Sequence, residues 1–257
     1  MTETIIDLGQ GFWSIRGDLR LGGVVNVGTQ ASLIRRSNGR FVMLDSYQPS
    51  GAVHRDLMAL TENGRAVEAV LNLHPFHTLH CKALAQELPN ATFYGSARHR
   101  AKAPDLNWAE DPVESPAVAA LFPELQFSLP AGIDYISGNE RVHAGSLLAY
   151  HPASRSLHVD DTLNVLPIPG WLRNLLGLPR LSFHPTMKSA LKPQAGAAAS
   201  FCDWADDLAD RWADTRNLCA AHSALIRLDD GEFAASLHAI TARQRWQFRK
   251  AGLIGAA

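Results

Sequence analysis

Three histidines within seven residues, in Leu73-His74-Pro75-Phe76-His77-Thr78-Leu79-His80, make the densest run of metal-ligand chemistry in the 257-residue chain. Neutral imidazole is a common ligand for zinc and iron. A spacing of three residues lets at least two such rings face one side of a turn or of a first helical turn. The run follows Val67 to Leu73, whose apolar character predicts a mostly buried strand, and precedes Cys81 to Glu87, which has helical composition and is stopped by Pro89-Asn90. It therefore falls at the C-terminal end of a strand, where functional loops gather in layered α/β architectures. Taken alone, the run is also consistent with partly exposed loop histidines.

A second group lies further on. His143-Ala144-Gly145-Ser146 leads into an apolar segment to Tyr150, and after His151-Pro152-Ala153-Ser154-Arg155 a second runs from Ser156 to Asp160-Asp161. Two apolar runs around a Pro- and Ser-containing turn predict a hairpin. Folding it at residue 152 sets His143 against Asp161, and directly opposed residues have Cβ atoms about 5 Å apart. A shared ion is geometrically reasonable there. His222 follows the apolar Leu218-Cys219-Ala220-Ala221 and again sits at a strand end. A lone histidine there is as readily structural as functional. His99 and His184 are expected on the surface or in loops, His151 in the inferred turn, and His158 beside Asp161 as an outer partner or packing residue. His54 and His238 fall in helical segments with no evident partner.

The elements that must hold these groups alternate. Strands are expected at Phe12 to Arg16, Ala31 to Arg35 and Arg40 to Asp45, the last two joined through Ser37-Asn38-Gly39, a hairpin signal. A helix from about His54 to Glu62, closed by Asn63-Gly64, precedes the Val67 strand. Further strands are expected at Ala91 to Tyr94, Leu125 to Leu129, Asp134 to Ser137, Ser146 to Tyr150, Ser156 to Val159 and Leu218 to Ala221, and helices at Pro116 to Leu121, Ala195 to Trp212 and Glu232 to Arg249. Asn164 to Lys192, rich in proline and glycine, reads as an irregular lid with a short helix at Trp171 to Leu176.

With no repeat or linker, residues 1–257 are expected to form one domain. A net charge of −1 gives no electrostatic reason to expect nucleic acid or an anionic membrane as partner. Three widely spaced cysteines make no C-x-x-C pair, excluding a disulfide framework. Neither a secretory signal nor an apolar run long enough for a bilayer is visible, so the cytoplasm is the expected compartment. P-loop, G-x-G-x-x-G and G-x-S-x-G signatures are missing too.

In order, these elements resemble the metallo-β-lactamase superfamily from the strand ending in Asp45 through His222. Its T-H-x-H-x-D-H signature looks like His74 to His80, with His77 as the second histidine and His80 as the last. Its H-T-P-G-S segment, followed by a strand pair and G-D, resembles His143-Ala-Gly-Ser and Asp160-Asp161; the final histidine matches His222. The resemblance implies an α+β fold, a four-layer αββα sandwich, with His77, His143 and His74 around one metal position and His80, Asp161 and His222 around the other. Asp161 would be the bridging and orienting catalytic carboxylate. Two departures stand out: Pro75 occupies the first histidine's place and Leu79 the aspartate's, with His74 one position early as a substitute. One or two divalent ions are implied, zinc first and iron second. The implied function is a metal-dependent hydrolase acting on a small-molecule ester, amide, thioester or phosphodiester through an acidified water. A non-catalytic descendant serving as a ligand-binding or regulatory protein is the alternative that Pro75 and Leu79 favour; a non-haem iron oxidoreductase or sensor ranks third.

Overall fold

A computed structural model describes residues 3–21, 25–26, 28–166, 175–176, 179–222 and 224–255. The first sheet takes its strands in the order β1 (Thr4–Asp7), β2 (Phe12–Gly17), β5 (Thr29–Arg35), β6 (Phe41–Leu44), β7 (Val67–Leu71) and β8 (Thr92–Tyr94). A short pair, β3 (Arg20–Leu21) and β4 (Val25–Asn26), lies between β2 and β5 in sequence. Pairing is antiparallel as far as β6 and parallel from β6 to β7 to β8. The parallel steps cross over through helices α1 (Gly51–Leu60) and α2 (Cys81–Glu87). A crossover of this kind leaves its helix on one face of the sheet.

Alternation along the strands explains the layers. Leu33, Met43 and Val70 face outward to Val53 and Leu57 of α1 and Leu84 of α2. Ile34, Val42, Leu44 and Leu71 face the other way, onto Leu147, Ala149 and Cys219 of the second sheet. That sheet has the order β15 (Leu225–Arg227), β14 (Asn217–Ala220), β11 (Ser156–Val159), β10 (Leu148–His151) and β9 (Gln126–Ser128). Its far face, Leu148, Tyr150, Leu157 and Leu218, is covered by Phe201, Leu208, Phe233 and Leu237. These belong to α5 (Ala197–Arg211) and α6 (Glu232–Lys250). Helix, sheet, sheet and helix are thus stacked in an α+β, αββα order, because each sheet carries two apolar faces and each long helix one apolar stripe. Among the described residues no helix is long and apolar enough to cross a membrane.

Several local expectations change. Asp134 to Ser137 is not a strand: Tyr135 is drawn inward so that its hydroxyl donates to Leu73 O (3.0 Å), and only Ile133 bridges, to Leu191. Pro116–Leu121 is helical as expected (α4), but it is preceded by α3 (Ala97–Lys102). His99 is fully buried there rather than on the surface, because its Nδ1 accepts from Ser96 N at 3.1 Å and closes the helix N-terminus. The expected lid contains an antiparallel pair, β12 (Leu163–Val165) and β13 (Leu181–Phe183); most of the proposed Trp171 to Leu176 helix lies outside the described residues.

His238 has partners after all. It bridges the two outer helices, Nδ1 to Asp206 (3.0 Å) and Nε2 to Asp210 (2.9 Å). The two carboxylates raise its pKa above the ordinary histidine value. A raised folded-state pKa means that this bridge contributes fully below about pH 6.5, the unfolded value, and fades as the pH climbs through the folded one. Thermal unfolding from pH 5.5 to 8.5 is expected to show a smaller downward drift in His238→Gln than in the parent; equal drifts would exclude the linkage.

Candidate metal centre

Asp45 begins the site. It follows β6 with φ +58°, a left-handed conformation that aspartate tolerates better than most residues. Its backbone N–H continues the parallel ladder to Leu71 O (2.8 Å). Oδ1 then accepts from Leu73 N (2.8 Å) and His74 N (3.4 Å), turning the chain out of β7 into the histidine run. Oδ2 accepts from Nε2 of His158 on β11 (2.9 Å), and His158 Nδ1 meets the Ser32 hydroxyl on β5 (2.8 Å). Burial would push the Asp45 carboxyl up, but the His158 hydrogen bond and charge draw it well below the usual carboxylate range. A serine, a histidine and an aspartate in line suggest a nucleophilic triad. Sealed between the sheets at 0, 0 and 2% exposure, this one is a tether.

Two further side chains from the first sheet hold the strand ends of the second. Gln30 donates to Val159 O and Cys219 O (3.0 Å each), and Arg16 donates to Ala220 O (2.9 Å), Ala221 O (3.2 Å) and Gln30 Oε1 (3.0 Å). The chain continues from these carbonyls into Asp160-Asp161 and His222. Buried donors on these strand-end carbonyls fix the direction in which the next residue leaves.

Asp161 is the hub. Its Oδ2 lies 2.8 Å from His143 Nδ1 and 3.1 Å from His74 Nε2, and its Oδ1 lies 3.2 Å from His222 Nε2. Burial opposes ionisation, yet His74, His143 and His77 together draw its pKa well down. The hydrogen bond to Asp161 conversely raises His143 above the ordinary histidine value. The hairpin that delivers this pair is folded later than residue 152: Ala149 pairs with His158 and His151 with Ser156. Continued strictly, that register would set Ser146 opposite Asp161. The chain leaves the ladder before Leu148, and Ser146 N instead donates to Thr162 Oγ1 (3.0 Å), which brings His143 across.

Backbone hydrogen bonds fix several ring tautomers. His74 Nδ1 accepts from Phe76 N (3.1 Å) while its Nε2 donates to His143 O (2.9 Å), so both of its nitrogens are engaged. His222 Nδ1 donates to Gly28 O (3.0 Å), which in a neutral ring leaves a lone pair on Nε2. That lone pair faces His77 Nε2 at 3.1 Å. His77 stacks on His74 (4.1 Å between ring centres), and burial followed by the neighbouring imidazoles lowers its pKa well below the ordinary value. Asp160, beside the hub, is buried with neither carboxylate oxygen in a hydrogen bond. His77 Nδ1 stands 3.7 Å from it and His158 Nε2 3.8 Å, and burial together with the Asp45 charge pushes its pKa well up.

Five of the six expected ligands thus come together: His74, His77, His143, Asp161 and His222. His80 is the exception. It caps the start of α2, and its ring packs edge-on against Tyr47 at 5.3 Å. Leu79, in the place of the superfamily's aspartate, is 73% exposed. His184, expected on the surface or in a loop, does lie in the loop that follows β13, and its ring is 5.2 Å from that of His143. Its Nδ1 accepts from Thr186 N (3.2 Å), so the neutral ring carries its proton on Nε2. No spacing in the sequence connects residues 143 and 184; a β12–β13 pair would have been the signal. Asp45 and Asp160 were missed as well, single acids at strand ends being common.

Three sets of ligand atoms each lie within 4.8 Å of one another: His74, His77 and Asp161; His143, Asp161 and His184; Asp45, His77 and Asp160. The tautomers discriminate among them, because binding through His74 Nε2 would break its bond to His143 O. His222 Nε2 stands 3.1 Å from His77 Nε2 and 3.2 Å from Asp161 Oδ1. Ligands on a tetrahedral zinc with bonds of about 2.0–2.1 Å are about 3.3 Å apart, so each of these two pairs has the spacing that a shared divalent ion would impose. Two imidazoles and a carboxylate suit zinc or non-haem iron.

No protein-family model matches the sequence, and neither does any curated protein. Solved structures do match. A metallo-β-lactamase from Erythrobacter litoralis, with β-mercaptoethanol in its active site, superposes with a TM-score of 0.60 at 13% identity over 94% of this chain and 96% of that one. The metallo-β-lactamase FIM-1 from Pseudomonas aeruginosa, in its mono-zinc form, gives 0.61 at 12% identity over 95% and 97%. A metallo-β-lactamase from Hirschia baltica gives 0.59 at 13% over 93% and 97%. The chain has the metallo-β-lactamase fold.

Proposed function

We propose that this chain is a metal-dependent hydrolase of a small-molecule ester, amide, thioester or phosphodiester, with zinc as its metal and iron as the second choice. The observation that carries this reading is that His222 Nε2 stands 3.1 Å from His77 Nε2 and 3.2 Å from Asp161 Oδ1, beside a set of His74, His77 and Asp161 whose ligand atoms all lie within 4.8 Å of one another. A divalent ion would take more than one of these ligand atoms at once, whereas one proton bridges a single pair. When bound, such an ion supplies Lewis acidity, lowering the pKa of water and polarising a carbonyl or phosphoryl oxygen.

The chain's own groups divide the remaining work. Asp161 turns one oxygen to the His77–His222 pair and the other to His143, so it orients both. His143, with Nδ1 held by Asp161, keeps Nε2 available on a side chain 37% exposed, where it takes a proton from the attacking water. His184 offers a fixed N–H to the substrate. His74 donates to the His143 carbonyl and holds that residue in place. The three cysteines are free and buried, which supports a reducing compartment such as the cytoplasm.

A non-catalytic ligand-binding role is the competing reading, favoured by the engagement of both His74 nitrogens and by Leu79. Protein purified without chelator should contain about one equivalent of zinc or iron. It should also turn over p-nitrophenyl esters or bis(p-nitrophenyl) phosphate, and His143→Ala should be slower by about 10²–10⁴-fold, the usual worth of a general base. Absence of metal, or equal turnover in the two proteins, would remove the hydrolase reading.

A further inference from the structure

Beside the histidine cluster a groove of about 700 Å³ runs between β13 and α6, within the range of small-molecule clefts. His184 lines one end of it, and the same ring lies 5.2 Å from His143, so groove and centre share a wall. Its floor is apolar: Leu181, Phe183, Ile240 and Phe248 are buried side chains of the outer core that also border the groove. Its charged lining is of one sign. Lys188 and Arg243 border it with no carboxylate among the described lining residues, in a chain whose net charge is −1. Among the described residues neither cation takes part in a hydrogen bond or an ion pair, unlike the nearby Arg245, which is held by Asp203 and Asp206.

We propose that this groove holds the substrate of the centre and that the substrate is an amphipathic anion, an apolar chain or ring system bearing a carboxylate or phosphate; this rests on the hydrolase reading. Burial of the apolar part on Leu181, Phe183, Ile240 and Phe248 supplies affinity. The two cations select the sign of the head group and orient the molecule along the groove toward His184.

The test uses the whole protein and three probes below their micelle concentrations: dodecanoate, dodecyl phosphate and dodecyltrimethylammonium. Calorimetry should show at least one of the anions binding about tenfold more tightly than the cation, and K188A/R243A should abolish the difference, as expected for two partly solvated charge pairs. Lys188 and Arg243 are both exposed, and an unchanged melting temperature in the double variant excludes misfolding. The bound anion should also compete with p-nitrophenyl ester turnover. Equal binding of cation and anions, undiminished anion binding by the double variant, or binding without competition would each overturn the proposal. Failure of the hydrolase reading is distinguishable, because His143→Ala lies outside the groove lining: loss of turnover or metal with anion preference intact concerns the centre alone.

Discussion

Replacing His222 with alanine is expected to weaken metal binding by more than about a hundredfold and to abolish metal-dependent turnover. Outer-shell partners of metal ligands are already worth about 10–100-fold when removed, and His222 brings Nε2 to 3.1 Å from His77 and 3.2 Å from Asp161. The loss should also appear as stability. An ion bound only by the folded state stabilises by RT ln(1 + [L]/Kd), about 2.7 kcal/mol at a hundredfold excess over Kd. Added zinc should therefore raise the melting temperature of the parent and leave His222→Ala unmoved. His54→Ala is the matched control, because His54 pairs with Glu87 (3.1 Å), away from the cluster. If zinc shifts parent and His222→Ala equally, His222 is not a ligand.

The second large effect is structural. Asp45→Ala removes the acceptor for Leu73 N and His74 N and leaves His158 without its partner between the sheets. Breaking a buried charged pair by deleting one member costs about 3–5 kcal/mol, so this variant is expected to be among the least stable single substitutions in the chain. Asp45→Asn keeps an acceptor for Leu73 N, and His158 can turn its tautomer to accept from the new amide, so a cost nearer 1–2 kcal/mol is expected. Denaturant unfolding measures both, and equal losses would mean that the tether is not electrostatic. The pH dependence has a definite sign. Because the folded-state pKa of Asp45 is depressed, its contribution is complete above the unfolded value near 4 and disappears as the pH falls below that. The acid limb of the stability profile should flatten in Asp45→Asn.

Much of this architecture is written in short-range signals. Asn38-Gly39 marks the β5–β6 turn, where Gly39 has φ +80°, and the buried run at Val67 does become the strand that ends at the histidines. The periodic segments near the C-terminus become α5 and α6 close to their expected limits, because a long amphipathic stripe outweighs local detail. The meeting of His143 and Asp161 was legible from the hairpin alone, although the pairing register differs and the contact depends on the chain leaving the ladder at Ser146. What could not be read depends on contacts between distant segments. His184 arrives through a strand pair inside a segment that reads as irregular, and Asp45 is one acid among many until β7 and β11 close on it. Arg16 and Gln30 look like ordinary strand polar residues until the second sheet supplies carbonyls for them. His80 shows the reverse: the motif offers it as a ligand, but helix α2 starts there and its ring packs against Tyr47.

The bonds from Arg16 and Gln30 to the second sheet join residues 129 to 205 positions apart. Closing loops of that length is entropically costly and slow, so such contacts form late in folding. The pocket therefore takes shape only after the amino- and carboxy-terminal halves have docked. An ion of the kind proposed would find a finished receptacle, unlike the small zinc modules in which the metal itself drives the chain to fold.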